Sequence, residues 1–218
     1  LLDRVSACID DVAAWMRSNR LQLNADKTEV MWCSSSRRQH QIPTAPLLVG
    51  SDVVTPVKSV RDLGIYVDSD LSMKTHVSRI VSGCFAILRQ LRSVRCSVTK
   101  PVLQSLVVSL VLSRLDYGSA TLAGLPARQL DRLRSVLHAS ARLIYSARKS
   151  DHVTPLLRDL HWLRYPQRIE FRLAVLTFRC LHGPAPQYLA GELQRVADME
   201  SRRRLRSAST ALLHVPVS

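Results

Sequence analysis

The sequence predicts an α+β protein in which a small mixed segment precedes an all-helical bundle. Over residues 1–70, one helical pattern of apolar residues is followed by short β-like runs that turn formers separate. From residue 71 onward the apolar residues recur with the spacing of amphipathic helices. The charge divides at the same point, with 8 basic and 9 acidic residues before it and 23 and 8 after it.

The first predicted element is a helix that ends near Ser18-Asn19. Its apolar positions follow helical spacing: Leu1, Val5, Cys8, Ile9, Val12, Trp15 and Met16. Asp10 and Asp11 within it have the composition of a carboxylate pair for two metal ions. On a helix, however, adjacent side chains diverge by about 100°. We therefore expect both aspartates to face solvent.

Short strands are predicted between this helix and residue 70. Turn formers at residues 34–38, 50–52 and 68–70 separate them, and Gly50-Ser51 between two apolar runs predicts a β-hairpin. The predicted strands are Thr28–Cys33, Leu47–Val49, Val53–Val57 and Val60–Val67.

The helical part begins with a predicted helix over Met73–Arg95. One apolar stripe runs along it, with Arg79 and Arg89 on the far side. A second helix, from about Lys100 to Leu115, is apolar almost all round, so we expect it to be central and buried.

Prolines mark the starts of the remaining helices, because proline is tolerated in a first helical turn. A third helix is predicted over Pro126–Tyr145, a short one opens at Thr154-Pro155, and another opens at Pro166. The last should end at Gly183, which suits a helix C-terminus.

The sequence predicts no metal site and no disulfide framework. Its five cysteines, at positions 8, 33, 84, 96 and 180, form no C-x-x-C pair, so we expect reduced thiols that are mostly buried. The start of the chain does not read as a secretory signal peptide, and no apolar run is long enough to span a bilayer. We expect an intracellular protein, nuclear or cytoplasmic, without a membrane partner.

The basic half of the chain predicts a polyanionic partner. Beyond residue 71 its only lysines are Lys74, Lys100 and Lys149, so arginine supplies nearly all of the positive charge. The planar guanidinium fork binds phosphate well, which favours a nucleic acid. A merely solvated basic surface is the alternative.

Several motifs in this order resemble reverse transcriptases of non-LTR (LINE-type) retrotransposons. WMRSNRLQLNADKTEVMW, residues 15–32, resembles the segment that follows their catalytic Y/F-A-D-D hairpin. VKSVRDLGIYVDSDLSMKTHV, residues 57–77, is similar to their primer grip and thumb entry, and SRLDYGSATLAGLP follows at 113–126. LHWLRYPQRIEFRLAVLTFRCLHGPAPQYL, residues 160–189, is similar to the C-terminal region of Jockey/CR1/L2-like elements. The resemblance covers about residues 1–190.

The resemblance implies roles for individual residues. Lys27 matches a palm lysine that assists proton transfer to departing pyrophosphate, and Asn24, Thr28 and Glu29 match residues that hold its loop. The primer-grip turn corresponds to Leu63, Gly64 and Ile65, where a glycine lets the backbone approach the primer closely. The Met73–Arg95 helix matches the first thumb helix, which follows the template–primer duplex. Its candidate phosphate-binding residues are Arg79, Arg89, Arg92 and Arg95.

The same resemblance implies the organisation of the chain. Residues 1–70 would be the C-terminal palm, 71–148 the thumb, 149–200 a post-thumb helical region and 201–218 a loose basic tail. The metal-binding aspartates would precede Leu1, and the chain lacks an initiator methionine, so we expect an inactive fragment of an RNA-directed DNA polymerase. Residues 1–70 would expose a sheet edge that the missing strands normally pair.

The partners implied are RNA, an RNA–DNA template–primer and the missing fingers and palm. The fragment itself would hold no cofactor, whereas the parent enzyme would use Mg²⁺. Two alternatives stay open, an independent basic helical nucleic-acid-binding protein and a helical protein-interaction module.

Overall fold

The computed structural model describes residues 2–50, 52–183, 185–198 and 212–213. The described chain is mostly helical and contains two small antiparallel sheets of two strands each, an arrangement compatible with the α+β class. Apart from Leu212 and Leu213, the predicted tail lies outside the described residues.

Helix α1, Leu2–Ser18, ends where the sequence predicts. The carbonyl of Trp15 accepts hydrogen bonds from Ser18 Oγ (2.7 Å) and Asn19 Nδ2 (2.8 Å), which compete with further helical bonding. Asp10 and Asp11 are both exposed on this helix, as expected. They therefore do not form a convergent carboxylate pair.

The strands form two hairpins. Strand β1, Leu47–Val49, pairs with β2, Asp52–Val54, which confirms the hairpin predicted at Gly50. Strand β2 stops short of the predicted Val57 because Pro56 cannot donate to a ladder.

The second hairpin replaces a predicted single strand. The predicted strand Val60–Val67 is instead two strands, β3 (Ser59–Asp62) and β4 (Ile65–Asp68). The chain reverses between them because Leu63 and Gly64 adopt φ of +45° and +86°. Two successive positive φ values suit a tight hairpin turn.

The prediction of a strand over Thr28–Cys33 is wrong. This segment has no ladder, because both hairpins pair internally and leave it without a partner strand. Nearby backbone bonds join Val57 N–H to the Val30 carbonyl (2.8 Å) and Ser34 N–H to the Ser69 carbonyl (3.0 Å).

The helical part follows the predicted order. Helix α2 packs against α5, and α3, α4, α6 and α7 surround this pair. Their bounds are α2 Lys74–Val94, α3 Lys100–Val107, α4 Ser113–Asp116, α5 Ala127–Tyr145, α6 Val153–Asp159, α7 Tyr165–His182 and α8 Gln187–Ala190. One continuous core joins residues 73–169; its fully buried members include Val77, Cys84, Leu115, Leu133, Leu137 and Tyr165.

The helix predicted over residues 100–115 is present, but it differs from the prediction in two respects. A π-helical segment, Val108–Leu112, separates α3 from α4. In addition Val102, Val108 and Leu110 are exposed, because α2 and α5 cover only one side of this region.

The thiols are free, but the expectation that most are buried is wrong. Only Cys84 is buried; Cys8, Cys33 and Cys96 are exposed and Cys180 is half-buried. Burial raises the pKa of the Cys84 thiol to about 11. Among the described residues, no helix combines the length and apolar character needed to cross a membrane.

Helix α7 is fastened to the end of α4 by two polar contacts. The hydroxyl of the buried Tyr165 donates to the Leu115 carbonyl (3.3 Å). Arg168 forms a two-point ion pair with Asp116, in which Nε donates to Oδ1 at 2.8 Å. Both side chains of the pair are largely buried, so each charge depends on the other.

We expect Arg168→Met to lower the free energy of unfolding by about 3 kcal/mol, because it leaves the Asp116 carboxylate buried and unpaired. Adding Asp116→Leu should recover at least half of that loss. The matched control is Arg134→Ala, which breaks the exposed Arg134–Asp131 pair and should cost less than about 1 kcal/mol. Urea denaturation measures all four chains. Equal losses for Arg168→Met and Arg134→Ala would contradict the role of the buried pair.

Candidate nucleic-acid interface

The hairpin β3–β4 is joined to the start of α2 by the carboxylate of Asp68. Its Oδ2 accepts hydrogen bonds from Thr75 N–H (3.0 Å) and Ser72 Oγ (3.4 Å). Met73, at the N-cap position, has φ +56° and supplies no capping side chain. Asp68 therefore caps α2 from the neighbouring strand, where a negative charge also favours the helix dipole.

Further contacts hold the turn that leads into α2. The Ser72 carbonyl accepts a bond from Gln129 Nε2 of α5 (2.9 Å), and Asp70 Oδ1 accepts one from Ser72 N–H (3.0 Å). The hydrogen bond of the Ser72 side chain lowers the pKa of Asp70, and Lys74 adds to this effect. Hairpin, α2 and α5 are thus held together at one point.

His76 lies beneath this junction and is 1% exposed. Its Nδ1 accepts a hydrogen bond from Tyr66 N–H (3.3 Å), whereas its buried Nε2 has no partner. Burial lowers the pKa of His76, and the nearby Asp68 carboxylate opposes that shift. In the neutral ring an accepting Nδ1 requires the proton to be on Nε2. His76 therefore presents an unused N–H donor.

The end of α4 holds the hairpin turn from a second side. The Tyr117 hydroxyl donates to the Leu63 carbonyl (2.5 Å). A Cβ added at Gly64 would lie 3.3 Å from the Tyr117 ring, and one added at Gly118 would lie 2.6 Å from Ile65 Cδ1. Glycine at both positions permits this close packing. Residues 63–65, where the resemblance implies a turn, are therefore positioned by residues 117–118.

A cleft of about 420 Å³ opens where the hairpin, α2 and α4 meet. Three arginines line it, and none of the described lining residues carries a carboxylate. The Arg79 guanidinium lies 4.8 Å from the centroid of the Tyr66 ring, and that of Arg61 lies 5.7 Å from it. The lining includes Arg61, Tyr66, His76, Arg79, Arg114 and Tyr117. Converging positive charge beside aromatic rings suits a phosphate-bearing ligand.

The structure separates the four arginines predicted on the α2 region. Arg79 lines the cleft. Arg89 and Arg92 are exposed about 15 and 20 Å further along the axis and about 80° and 140° around it. Arg95 lies in the short 3₁₀ turn that follows α2 and is half-buried. They do not share one face.

Lys27 is exposed at the end of the 3₁₀ turn Ala25–Lys27 and does not line the cleft. Its backbone N–H donates to Asn24 Oδ1 (3.2 Å), and Thr28 Oγ1 donates to the Asn24 carbonyl (2.8 Å). Asn24 and Thr28 therefore hold this loop, as the sequence predicts. Glu29 is exposed.

Sequence reasoning missed Arg61, Tyr66, His76, Arg114 and Tyr117 as members of the site. All five lie within residues 57–77 and 113–126, the segments that carry the resemblance. Their position in these two segments was therefore the sequence signal that could have identified them as site residues. Their convergence depends on contacts between distant parts of the chain, such as Tyr117 with Leu63.

Among the described residues, no three His, Cys, Asp or Glu side chains cluster closely enough to hold a metal ion. No protein-family model matches this sequence, and searches of curated proteins and solved structures found no significant match. The resemblance to reverse transcriptases therefore stays a prediction.

We expect the free energy of unfolding to fall as the pH drops below 6.5, the ordinary pKa of histidine. There the unfolded chain binds a proton that His76 resists in the folded state, so acid favours unfolding. His76→Gln should reduce the difference between urea denaturation at pH 7.5 and at pH 5.5. An unchanged difference would contradict this explanation. His138 also has a pKa lowered by burial and by nearby arginines, so His138→Gln measures its share separately.

Proposed function

We propose that this chain is the C-terminal palm, thumb and post-thumb region of a non-LTR retrotransposon reverse transcriptase, and that its own activity is binding of an RNA–DNA template–primer. One observation carries the proposal. The cleft lined by Arg61, Arg79 and Arg114 adjoins the turn at Leu63-Gly64, so positive charge and an approachable backbone lie side by side.

The chemistry of this cleft fits the backbone of a nucleic acid better than its bases. Guanidinium groups bind phosphate oxygens without reading sequence. Leu63 is 83% exposed at the tip of the hairpin and Gly64 carries no side chain, so the turn offers a contact surface for a strand. An RNA–DNA hybrid presents phosphates and 2′-hydroxyls across a shallow minor groove, which such a surface can follow.

In this proposal the nucleotidyl-transfer chemistry belongs to a preceding segment. The aspartates of the Y/F-A-D-D hairpin would bind Mg²⁺, and Lys27 would assist proton transfer to pyrophosphate. Sequencing the transcript upstream of Leu1 tests this directly. An open frame with Y/F-x-D-D just before residue 1 supports the proposal, whereas an unrelated exon removes the polymerase from it.

A protein-interaction module is the second candidate, and exposed apolar side chains favour it. Phe171 and Phe178 are exposed on α7, and Val102 and Leu110 are exposed on the π-interrupted helical region. Apolar side chains left uncovered in this way are typical of surfaces that another chain covers. The binding experiment below separates the two functions.

We expect the full 218-residue chain to bind a 14-base-pair RNA–DNA hybrid more tightly than duplex DNA of the same sequence, measured by fluorescence anisotropy. The double variant Arg79→Ala/Arg114→Ala should bind the hybrid about tenfold more weakly, with a salt dependence reduced by about two phosphate contacts.

The matched control is Arg128→Ala/Arg134→Ala, which removes the same charge from the exposed face of α5 and should change the affinity less than threefold. Equal losses in both double variants would mean that net charge alone drives binding. No loss in either would favour the protein-interaction module.

A further inference from the structure

A second cleft, of about 560 Å³, lies between the end of α4 and helix α7. It shares Tyr117 with the first cleft, so the two meet at this residue. Arg172 and Arg179 of α7 line it, together with Ser119 and Val175. The segment that forms α7 carries part of the resemblance but has no predicted role.

The free charge of the second cleft is positive. Its one carboxylate, Asp116, is already held at both oxygens by Arg168. Arg172 and Arg179 are seven residues apart, which places them on one helix face about 10 Å apart. That distance corresponds to the rise of roughly three base pairs along a duplex axis.

Each cleft also contains a buried polar atom without a hydrogen-bond partner. In the second cleft, Ser119 is 2% exposed and its Oγ has no hydrogen-bond partner. In the first cleft, the Nε2 atom of the buried His76 also has none. Six buried side-chain polar atoms among the described residues have no partner, and these two belong to residues that line adjoining clefts. Because buried donors and acceptors are normally paired, their position beside the arginines favours a ligand that accepts hydrogen bonds. Phosphate oxygens are strong acceptors of this kind.

The side chain of Tyr117, where the two clefts meet, is both held in place and exposed. Its hydroxyl is bonded to the Leu63 carbonyl, yet the side chain is 55% exposed. The hydroxyl contact fixes the ring, and a fixed exposed ring can stack with a base or sugar. Tyr165 and Arg168 hold α7 against α4, so the position of Arg172 and Arg179 relative to Tyr117 is fixed as well.

We propose that the two clefts form one continuous track for the sugar–phosphate backbone of a nucleic-acid strand, with α7 providing its second half. Arg172 and Arg179 bind phosphates, Ser119 donates to a phosphate oxygen, and Tyr117 stacks where the clefts meet. The inference rests on the proposed function, because the strand is the same one that occupies the first cleft.

The test measures binding of the same 14-base-pair RNA–DNA hybrid by fluorescence anisotropy. Arg172→Ala/Arg179→Ala should bind this hybrid about tenfold more weakly than the wild-type chain, with a salt dependence reduced by about two phosphate contacts. Both arginines are exposed, so this variant should fold normally. Arg128→Ala/Arg134→Ala is again the charge-matched control.

Dependence on Arg79 and Arg114 without dependence on Arg172 and Arg179 would overturn the second half of the track and leave the proposed function standing. If the affinity depended on neither pair of arginines, both this inference and the proposed function would be overturned. A poly-glutamate peptide that competes as well as the hybrid at equal charge would also overturn the inference, because an acidic protein would then suit the track equally. Tyr117→Phe keeps the ring and should retain more affinity for the 14-base-pair hybrid than Tyr117→Leu, whereas equal loss would contradict stacking.

Discussion

The arrangement of the site depends on the carboxylate of Asp68 at the N-terminus of α2. Met73 enters the helix with a left-handed backbone and cannot cap it, so the unpaired N–H groups there need an acceptor from elsewhere. Asp68 provides it from β4. This bond joins the start of α2 to the β3–β4 hairpin. It therefore fixes the position of the hairpin turn relative to the arginines of α2.

Tyr117 holds the same hairpin from a second side. It follows α4, whose position the π-helical segment and the Arg168–Asp116 ion pair help to set. The buried Cys84 Sγ lies 3.9 Å from the Val111 carbonyl within that segment, so α2 contacts the irregular turn directly. A π-helical insertion rotates the residues that follow it relative to a regular helix. The directions in which Arg114 and Tyr117 point therefore depend on an irregularity in the helix that carries them.

Charge is distributed unevenly with respect to this framework. The ion pairs among the described residues use Asp70, Asp116 and Asp131, and Asp68 is committed to the start of α2. Asp116, the one carboxylate in the lining of the second cleft, is thus held by Arg168, and the lining of the first cleft contains no carboxylate. The fold separates acids that stabilise it from arginines that are free to bind an anion.

The sequence by itself determined the helices and most of their ends, since apolar spacing, prolines and Gly183 are local signals. It also determined the solvent-facing position of Asp10 and Asp11, the turn at Gly50, and the arginine-rich character of the second half. It did not determine the turn at Leu63-Gly64, where the pattern predicted one strand over Val60–Val67. It misjudged Thr28–Cys33 and the exposure of residues 100–115, because strand pairing and burial depend on what lies opposite a segment. Only the tertiary structure decided that Arg79 lies in a cleft apart from Arg89 and Arg92, and that Arg114 and Tyr117 join it. Residues more than fifty positions apart meet there through hydrogen bonds and packing, and no local pattern records such contacts.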